Sequence, residues 1–118
     1  MIAVPGVDLM ETVVDIGNCS GAEVDKFKKF GLHAMPAEQV AAPLIRECLA
    51  NIECRVVDTQ LVKSYNLFVL EAVKPWTNGR RKEQGIFHHK GNGTFSTDEK
   101  VIDLRKRMTK WKEITRDE

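Results

Sequence analysis

The sequence predicts one mainly β domain with a few helices, and three observations support that prediction. Residues 52–57 alternate between two faces like a half-buried strand, and residues 65–73 form a dense β-prone run. Lys63-Ser64 lies between them as a turn, so the two segments are expected to pair antiparallel near the centre of a sheet. Asn78-Gly79 marks another turn, after which residues 86–89 resume extended structure.

Composition agrees with a small packed domain and disfavours several classes of partner. The chain has 118 residues, treated as a single domain over 1–118, and 42% of them are hydrophobic. A formal net charge of +1 and the lack of a long apolar run predict neither a nucleic-acid partner nor a membrane partner. The first six residues lack the features of a signal peptide, so a cytoplasmic location is expected. Three irregularly spaced cysteines fit reduced thiols.

Helices are expected in the first half of the chain. Asp8–Ile16 has an apolar face, with Asp8 as N-cap and Gly17-Asn18 as the stop. A second helix is predicted over 21–30, because Ser20 and Glu23 have the spacing of a capping box and Gly31 suits the end. Residues 44–49 are predicted to form a helical turn or two after Pro43.

Short sequence patterns predict secondary structure at the two ends of the chain. Residues 2–4 are apolar and β-prone and are stopped by Pro5-Gly6, so they are expected to form the end of a strand. Residues 94–97 and 101–102 are predicted to form a terminal hairpin, after Gly91 and Gly93 interrupt the preceding strand. The mixed-charge residues 104–118 favour a solvated helix over a nucleic-acid-binding segment.

The stretch from Asn18 to Phe27 is the first candidate for chemistry. It combines a hydroxyl, a glycine and a lysine at a predicted helix start, where free amides can bind an anion. Lys26 could add a positive charge and Phe27 a ring surface. An ordinary capped surface helix explains the same residues and is favoured on the residues alone.

His88-His89 is the second candidate. Adjacent histidines in a strand point to opposite faces, so they cannot share one metal ion without a bend, and no metal site is predicted. One imidazole could contact a phosphate or a carbonyl. One exposed and one half-buried histidine is the favoured alternative. Among the thiols, Cys54 is expected in the core, and Cys19 is left open as a reactive group.

Four segments in chain order carry a larger pattern. They are Ser20-Gly21 with Asp25-Lys26-Phe27, the stretch from Ala42 to Val56, the run Tyr65–Val73, and Ile86–Phe95 with its His-His-x-Gly-x-Gly core. Together they resemble the flavin reductase-like family, particularly its flavoredoxin-type branch. The resemblance covers most of the chain, and its specificity comes from the order of the segments.

This resemblance implies an antiparallel Greek-key split barrel that holds FMN near a homodimer interface. It also implies redox chemistry with NAD(P)H or a redox partner protein as electron donor, with hydride transfer carried by the flavin. The positions that match the family pattern near the flavin are Ser20, Gly21, Lys26, Phe27, His88 and His89. No catalytic residue is assigned.

Two departures from the family pattern affect this expectation. Ser64-Tyr65-Asn66 stands where many flavin reductases have Gly-Asp-His, which puts a histidine-assisted nicotinamide site in doubt. The family's N-terminal strands have no counterpart, so a C-terminal portion of the fold, incomplete at its N-terminus, is expected. The alternative function is a non-catalytic β-rich dimerisation module that keeps the scaffold but has lost the flavin.

Overall fold

The computed structural model describes residues 1–82 and 85–98, and its longest strands form an antiparallel pair. The strands are β1 (Ile2–Val4), β2 (Ala34–Met35), β3 (Leu44–Ile45), β4 (Ala50–Asp58), β5 (Val69–Thr77), β6 (Phe87–His89) and β7 (Phe95–Thr97). The helices are a 3₁₀ turn (Val7–Leu9), α1 (Met10–Gly17), α2 (Lys26–Phe30) and α3 (Val62–Tyr65). The prediction of a mainly β chain with a few helices is confirmed.

Strand β4 is the central strand of the sheet β1-β4-β5, and both of its pairings are antiparallel. The register places Asn51 opposite Trp76. Both residues line a groove that is described below. The register shifts between Glu53 and Cys54 and again between Val56 and Asp58. Such bulges bend a strand pair and re-aim its side chains. The predicted antiparallel pairing is therefore confirmed, with two irregularities, but in the described sheet β4 is central and β5 lies at the edge.

The second predicted strand starts later than its β-prone run. Tyr65 ends the short helix α3, and Asn66 follows in the left-handed region with φ of 51°. Asparagine tolerates that conformation better than most residues, so the chain turns there before β5 begins at Val69. The predicted turn at Lys63-Ser64 lies within this helical connection.

Burial is concentrated at the start of β4. In the described residues, the buried side chains larger than glycine are Leu44, Cys48, Asn51 and Glu53. The amide oxygen of Asn51 accepts from the backbone N–H of Ile45 at 2.9 Å, and its nitrogen donates to the Ile45 carbonyl at 3.0 Å. This side chain therefore makes the two hydrogen bonds that a neighbouring strand would make, and it fixes β3 against β4.

Three helix predictions need correction. Asp8 does not cap the first helix: it lies in the 3₁₀ turn, and its carboxylate pairs with Arg81. The second helix begins at Lys26 rather than at residue 21, because Asp25 caps it by accepting from the Lys28 N–H at 3.2 Å. Residues 44–49 form β3 and a turn instead of a helix, since the Asn51 amide occupies the backbone groups of Ile45.

The predicted ends of the first two helices are confirmed. The first helix ends at Gly17 with Asn18 as its C-cap, as expected. Gly31 ends α2 with φ of 65°, and the N–H of Leu32 donates to the Phe27 carbonyl at 2.9 Å. These contacts form a Schellman-type end, which requires a residue that tolerates positive φ.

The end of the described chain forms a small hairpin. β7 (Phe95–Thr97) pairs antiparallel with β6, so residues 95–97 have a partner strand upstream in the chain. Residues 101–102 and the predicted helix over 104–118 lie outside the described residues. Gly91 and Gly93 have φ of 90° and 80°, which explains the break between the strands. No helix in the described ranges is long and apolar enough to cross a membrane.

Candidate functional site

The turn at Ser20-Gly21 lies beside the side chain of Lys26. A Cβ placed on Gly21 would lie 3.8 Å from Cε of Lys26, which is ordinary van der Waals contact. The Ser20 hydroxyl oxygen accepts from the Ala22 N–H at 3.2 Å, so its own O–H can still donate. The structure thus brings three of the sequence-predicted residues together, and Phe27 follows on the first turn of α2 as a half-buried ring.

The hydrogen bonds that hold this cluster differ from those that the sequence predicts. The capping box is wrong: the Ser20 hydroxyl accepts from Ala22, and Glu23 donates its N–H to the Ser20 carbonyl instead. Helix α2 has five residues, and the carboxylate of Asp25 occupies its N-terminus. A negative charge there disfavours an anion at the helix end itself. The hydroxyl of Ser20 and the ammonium of Lys26 are the groups that an anion could use.

Lys26 already has one structural partner. Its Nζ donates to the carbonyl oxygen of Ile16 at 2.9 Å, at the C-terminal end of α1. A cation at this end is stabilised by the helix dipole and satisfies a carbonyl that has no partner within the helix. An ammonium group has three N–H donors, so this contact leaves donors for a second acceptor.

The two histidines lie on β6, away from α2 in the sequence. His88 is exposed, and its Nε2 lies 3.8 Å from a carboxylate oxygen of Asp98. His89 stacks on Phe95 with ring centroids 4.8 Å apart, and its Nε2 accepts from the Gly93 N–H at 3.2 Å. The imidazole of His89 therefore stabilises the β6–β7 hairpin. In the described residues, no group of three or more His, Cys, Asp or Glu side chains is placed to hold a metal ion.

The cysteines in this region are thiols. Burial, reinforced by the neighbouring carboxylate of Glu47, raises the pKa of the Cys48 thiol. Cys54 is half-buried in β4. Cys19 is also half-buried, and its sulfur lies 3.7 Å from the Ile16 carbonyl oxygen that Lys26 contacts. This sulfur therefore packs at the same end of α1 as the Lys26 ammonium.

A second candidate site is a groove between the β2–β3 pair and the ends of β4 and β5. We call it the arginine groove, and its volume is about 380 Å³. One part of its wall is apolar and includes Met35, Leu44 and Trp76. The other part of its wall includes three arginines. These are Arg46, Arg80 and Arg81.

Arg81 holds one end of this groove together. Its guanidinium pairs with the carboxylate of Asp8 and donates to the backbone carbonyl of Glu47, so it joins the 3₁₀ turn to the segment before β4. Asn78 adds a second tie, because its side-chain N–H donates to the Arg46 carbonyl at 3.1 Å. The turn that contains Arg80 is thus tied to the segment that contains Arg46 by side-chain hydrogen bonds from Asn78 and Arg81.

Trp76 is fixed by the buried carboxylate of Glu53. The indole N–H donates to Oε2 of Glu53 at 2.6 Å, and the ammonium of Lys74 lies 4.4 Å from the ring centroid. Glu53 also accepts from the backbone N–H groups of residues 38, 39 and 40, at 3.2, 2.5 and 3.1 Å. Burial alone would raise the pKa of Glu53, but these four donors outweigh it and hold the pKa below its ordinary value.

A similar arrangement joins His33 to Glu47. The backbone N–H of His33 lies 3.1 Å from both carboxylate oxygens, and its Nδ1 lies 2.5 Å from Oε1. Burial would raise the pKa of Glu47, but the hydrogen bonds from His33 lower it overall. These contacts fix β2 beside the segment that leads into β4.

Sequence reasoning missed the arginine groove and Glu53. Arg80-Arg81 directly follows the turn residues Asn78-Gly79, a position that is typical of an exposed loop and not of a groove wall. The turn itself is confirmed, since the N–H of Arg81 donates to the Asn78 carbonyl at 3.3 Å. The signal that could have found the groove is the strand register, which sets Asn51 opposite Trp76 and so brings this turn to the start of β4.

Comparison with known proteins now decides the family. The family model of the flavin reductase like domain matches residues 2–96. The chain belongs to the flavin reductase-like domain family. This flavin reductase-like chain is also similar in fold to the crystal structure of an FMN-binding domain of a flavin reductases-like enzyme from Shewanella baltica. The TM-score is 0.74 and the sequence identity 17%, over 86% of this chain and 60% of that one.

Relatives from other organisms agree with this assignment. An uncharacterized protein of Archaeoglobus fulgidus is 39% identical over 71 residues, which are 60% of this chain and 40% of that protein. The uncharacterized Escherichia coli protein YddH is 31% identical over 113 residues, covering 86% of this chain and 60% of YddH. The flavin reductase-like chain therefore spans only part of the length of the relatives it matches.

Proposed function

We propose that this chain contributes to an FMN-binding protein that transfers electrons through the flavin, and that it belongs to the flavoredoxin-type branch. The observation that carries the proposal is the family match over residues 2–96. The similarity of the fold to an FMN-binding domain supports it. Bound FMN would supply hydride and single-electron chemistry, and the protein would hold and orient it.

The residues proposed to lie near the flavin are those of the Ser20–Phe27 cluster. A phosphate group needs hydrogen-bond donors and positive charge, and the Ser20 hydroxyl and the Lys26 ammonium offer both. Gly21 adds no side chain beside them, and a Cβ at its position would make only an ordinary contact with Cε of Lys26. The chemistry of these groups therefore fits a phosphate. His88 and His89 stay in the proposal as further flavin-proximal positions, with His89 already engaged by Gly93.

Equilibrium titration with FMN tests this proposal. The full chain, and the longer protein if the gene encodes one, should quench FMN fluorescence in a saturable way. Lys26→Gln should weaken binding about tenfold, since a hydrogen bond to a charged group is worth about 1.5–3 kcal/mol. Lys28→Gln is the matched control, because its side chain is exposed on the same short helix.

Two results would count against the proposal. If the longest available form of the protein does not bind FMN, the proposed flavin binding is wrong. Equal affinities for Lys26→Gln and Lys28→Gln would remove the assignment of Lys26. The electron donor is tested separately, by adding NADH or NADPH to the flavin-loaded protein without oxygen and following the loss of flavin absorbance.

A second candidate function is the non-catalytic dimerisation module. Apolar side chains are exposed around α3 and at the start of β5, including Tyr65, which is 76% exposed, and Phe68, which is 51% exposed. In the described sheet β5 is an edge strand, and exposed apolar edges favour pairing with another chain. A second copy of the chain is the proposed occupant. Sedimentation equilibrium of flavin-free protein should detect a dimer, and a monomer at all concentrations would exclude this candidate.

A further inference from the structure

We infer that the Asn92-Gly93 pair between β6 and β7 is a self-modification site, at which the asparagine loses its amide nitrogen as ammonia through a cyclic succinimide. Asparagine followed by glycine favours this reaction, because glycine has no side chain to shield its backbone nitrogen. The structure adds hydrogen bonds on both reacting groups of the pair. This inference goes beyond the proposed function, since the reaction needs no flavin.

The attacking group is the backbone nitrogen of Gly93. Its N–H donates to Nε2 of His89 at 3.2 Å, so the imidazole is placed to accept the proton that this nitrogen must lose. An imidazole that accepts at Nε2 is neutral and carries its own proton on Nδ1. The ring of His89 is held in this position by stacking on Phe95, with the centroids 4.8 Å apart. The nucleophile therefore has a general base within hydrogen-bond distance.

The group that is attacked is the side-chain carbonyl of Asn92. Its Oδ1 accepts from the backbone N–H of Thr94 at 3.2 Å and from the Thr94 hydroxyl at 2.5 Å. Negative charge develops on this oxygen when the carbon is attacked, and the two donors stabilise that charge. The same hydrogen bonds direct the Asn92 side chain toward the residues that follow it. Both residues and Gly93 are exposed, so water reaches the site.

The reaction balances without an oxidant or a reductant. The Gly93 nitrogen forms a bond to Cγ of Asn92, and its proton passes to His89. The bond from Cγ to Nδ2 then breaks, and His89 returns the proton to the leaving nitrogen, which departs as ammonia. Water opens the succinimide at either of its carbonyl groups and leaves aspartate or isoaspartate. The net change converts an amide and water into a carboxylate and an ammonium ion.

The chain contains a matched comparison, the Asn78-Gly79 pair. The side-chain nitrogen of Asn78 donates to the Arg46 carbonyl at 3.1 Å, which holds this amide against another segment. Among the described residues, the Gly79 N–H has no acceptor and Oδ1 of Asn78 has no donor. The two pairs have the same residue types, so a difference between their rates reports the surrounding groups. We expect Asn92 to react about tenfold faster or more.

Mass spectrometry of the purified, flavin-free chain tests the inference. The protein is incubated near neutral pH, and the peptides that contain the two pairs are followed over days. Each conversion to aspartate or isoaspartate raises the peptide mass by about 1 Da and adds a negative charge that isoelectric focusing detects. We expect succinimide, aspartate and isoaspartate to accumulate at Asn92 well before they accumulate at Asn78.

Variants of the hairpin test the two contributions separately. His89→Gln keeps a hydrogen-bond acceptor but cannot take up the proton, so the rate at Asn92 should fall about tenfold. Thr94→Val removes the hydroxyl donor and keeps the backbone donor, so the rate should fall by a smaller factor. Thr94→Ser keeps the hydroxyl and should react like the wild type. The rate at Asn78 in each variant is the control, because that pair lies outside the hairpin.

Two results would contradict the inference. Equal rates at Asn92 and Asn78 in the wild type would mean that the hydrogen bonds of the hairpin do not promote the reaction. An unchanged rate at Asn92 in His89→Gln would mean that the imidazole does not act as the base. If His89→Gln disturbs the hairpin, equal rates in Thr94→Val and Thr94→Ser would still overturn the role of the carbonyl donors. None of these measurements depends on FMN binding, so a failure of the proposed function is distinguishable from a failure of this inference.

Discussion

The two halves of strand β4 differ in a way that their residue types do not suggest. In the first half, the polar side chains of Asn51 and Glu53 are buried, and Glu53 has no exposed surface. In the second half, Val56 and Val57 are exposed at 56% and 55%. A half-buried strand was expected over residues 52–57, and the strand is confirmed. Its most deeply buried positions nevertheless carry an amide and a carboxylate.

The difference comes from what covers each half. The first half lies under the loop before β3, whose backbone N–H groups at residues 38–40 all donate to Glu53. A buried carboxylate is tolerated when its oxygens are fully hydrogen-bonded. The second half follows the register shift after Glu53, and the described side-chain hydrogen bond there is a local one, from the Gln60 N–H to the carboxylate of Asp58 at 2.8 Å. Cover from distant segments therefore decides burial along this strand.

Removing the Glu53 carboxylate should have the largest effect. Glu53→Ala leaves four donors without their acceptor in a buried site, so we expect the Tm to fall by roughly 15 °C or more. Glu53→Gln keeps one acceptor oxygen and should lose less. Calorimetry of both variants measures the change.

Glu71→Gln is the control for this pair, because it makes the same chemical change on an exposed position of β5. Its Tm should stay close to that of the wild type. If Glu53→Gln and Glu71→Gln lose equal stability, the four hydrogen bonds do not support the first half of β4 in the way that the structure indicates. This comparison remains available if Glu53→Ala fails to fold.

Truncating an apolar residue in each region should give an intermediate effect. Leu44→Ala removes a buried side chain beside the start of β4 and should lower the free energy of unfolding by about 2–3 kcal/mol. Val57→Ala, in the exposed half, should change it by less than about 0.5 kcal/mol. Urea titrations of the two variants compare them directly. Equal losses would mean that Val57 is covered in solution, as it would be in a dimer.

The smallest expected effect concerns pH. The pKa of Glu53 is lower in the folded chain than its ordinary value of 4.5, so the ionised carboxylate stabilises the fold above that value. This stabilisation is lost progressively as the pH falls below 4.5 and through the folded pKa. The urea midpoint of the wild type should therefore fall more between about pH 7 and about pH 4 than that of Glu53→Gln. Parallel falls in both proteins would contradict this role.

Some elements were predictable because their signals are local. Gly31 ends α2 through a positive φ, and Asn78-Gly79 turns the chain through the hydrogen bond from the Arg81 N–H to the Asn78 carbonyl, so each signal involves only neighbouring residues. The start of α2 was not predictable from the capping-box spacing. Two spacings compete there, and Asp25, five residues after Ser20, provides the cap that the structure uses.

The candidate site likewise combines features that were predictable from the sequence with features that were not. The family pattern placed Ser20, Gly21 and Lys26 together, and in the structure Cε of Lys26 lies 3.8 Å from where a Cβ on Gly21 would be. Whether FMN uses them stays a prediction. The contact of Lys26 with the Ile16 carbonyl was not foreseen, because it depends on how α1 and α2 pack. The arginine groove was missed for a similar reason, since Arg46 and Arg80 are distant in the sequence.

By itself, the sequence determined the mainly β class, the antiparallel pairing of its two longest strands and the family, because these depend on periodicity, turn residues and the order of motifs. Only the tertiary structure decided which face of β4 is buried, where α2 begins, and that three arginines share one groove. Those features depend on contacts between segments far apart in the chain. Glu53 shows the reason: its carboxylate is stable in the interior only because residues 38–40 and Trp76 bring four donors to it.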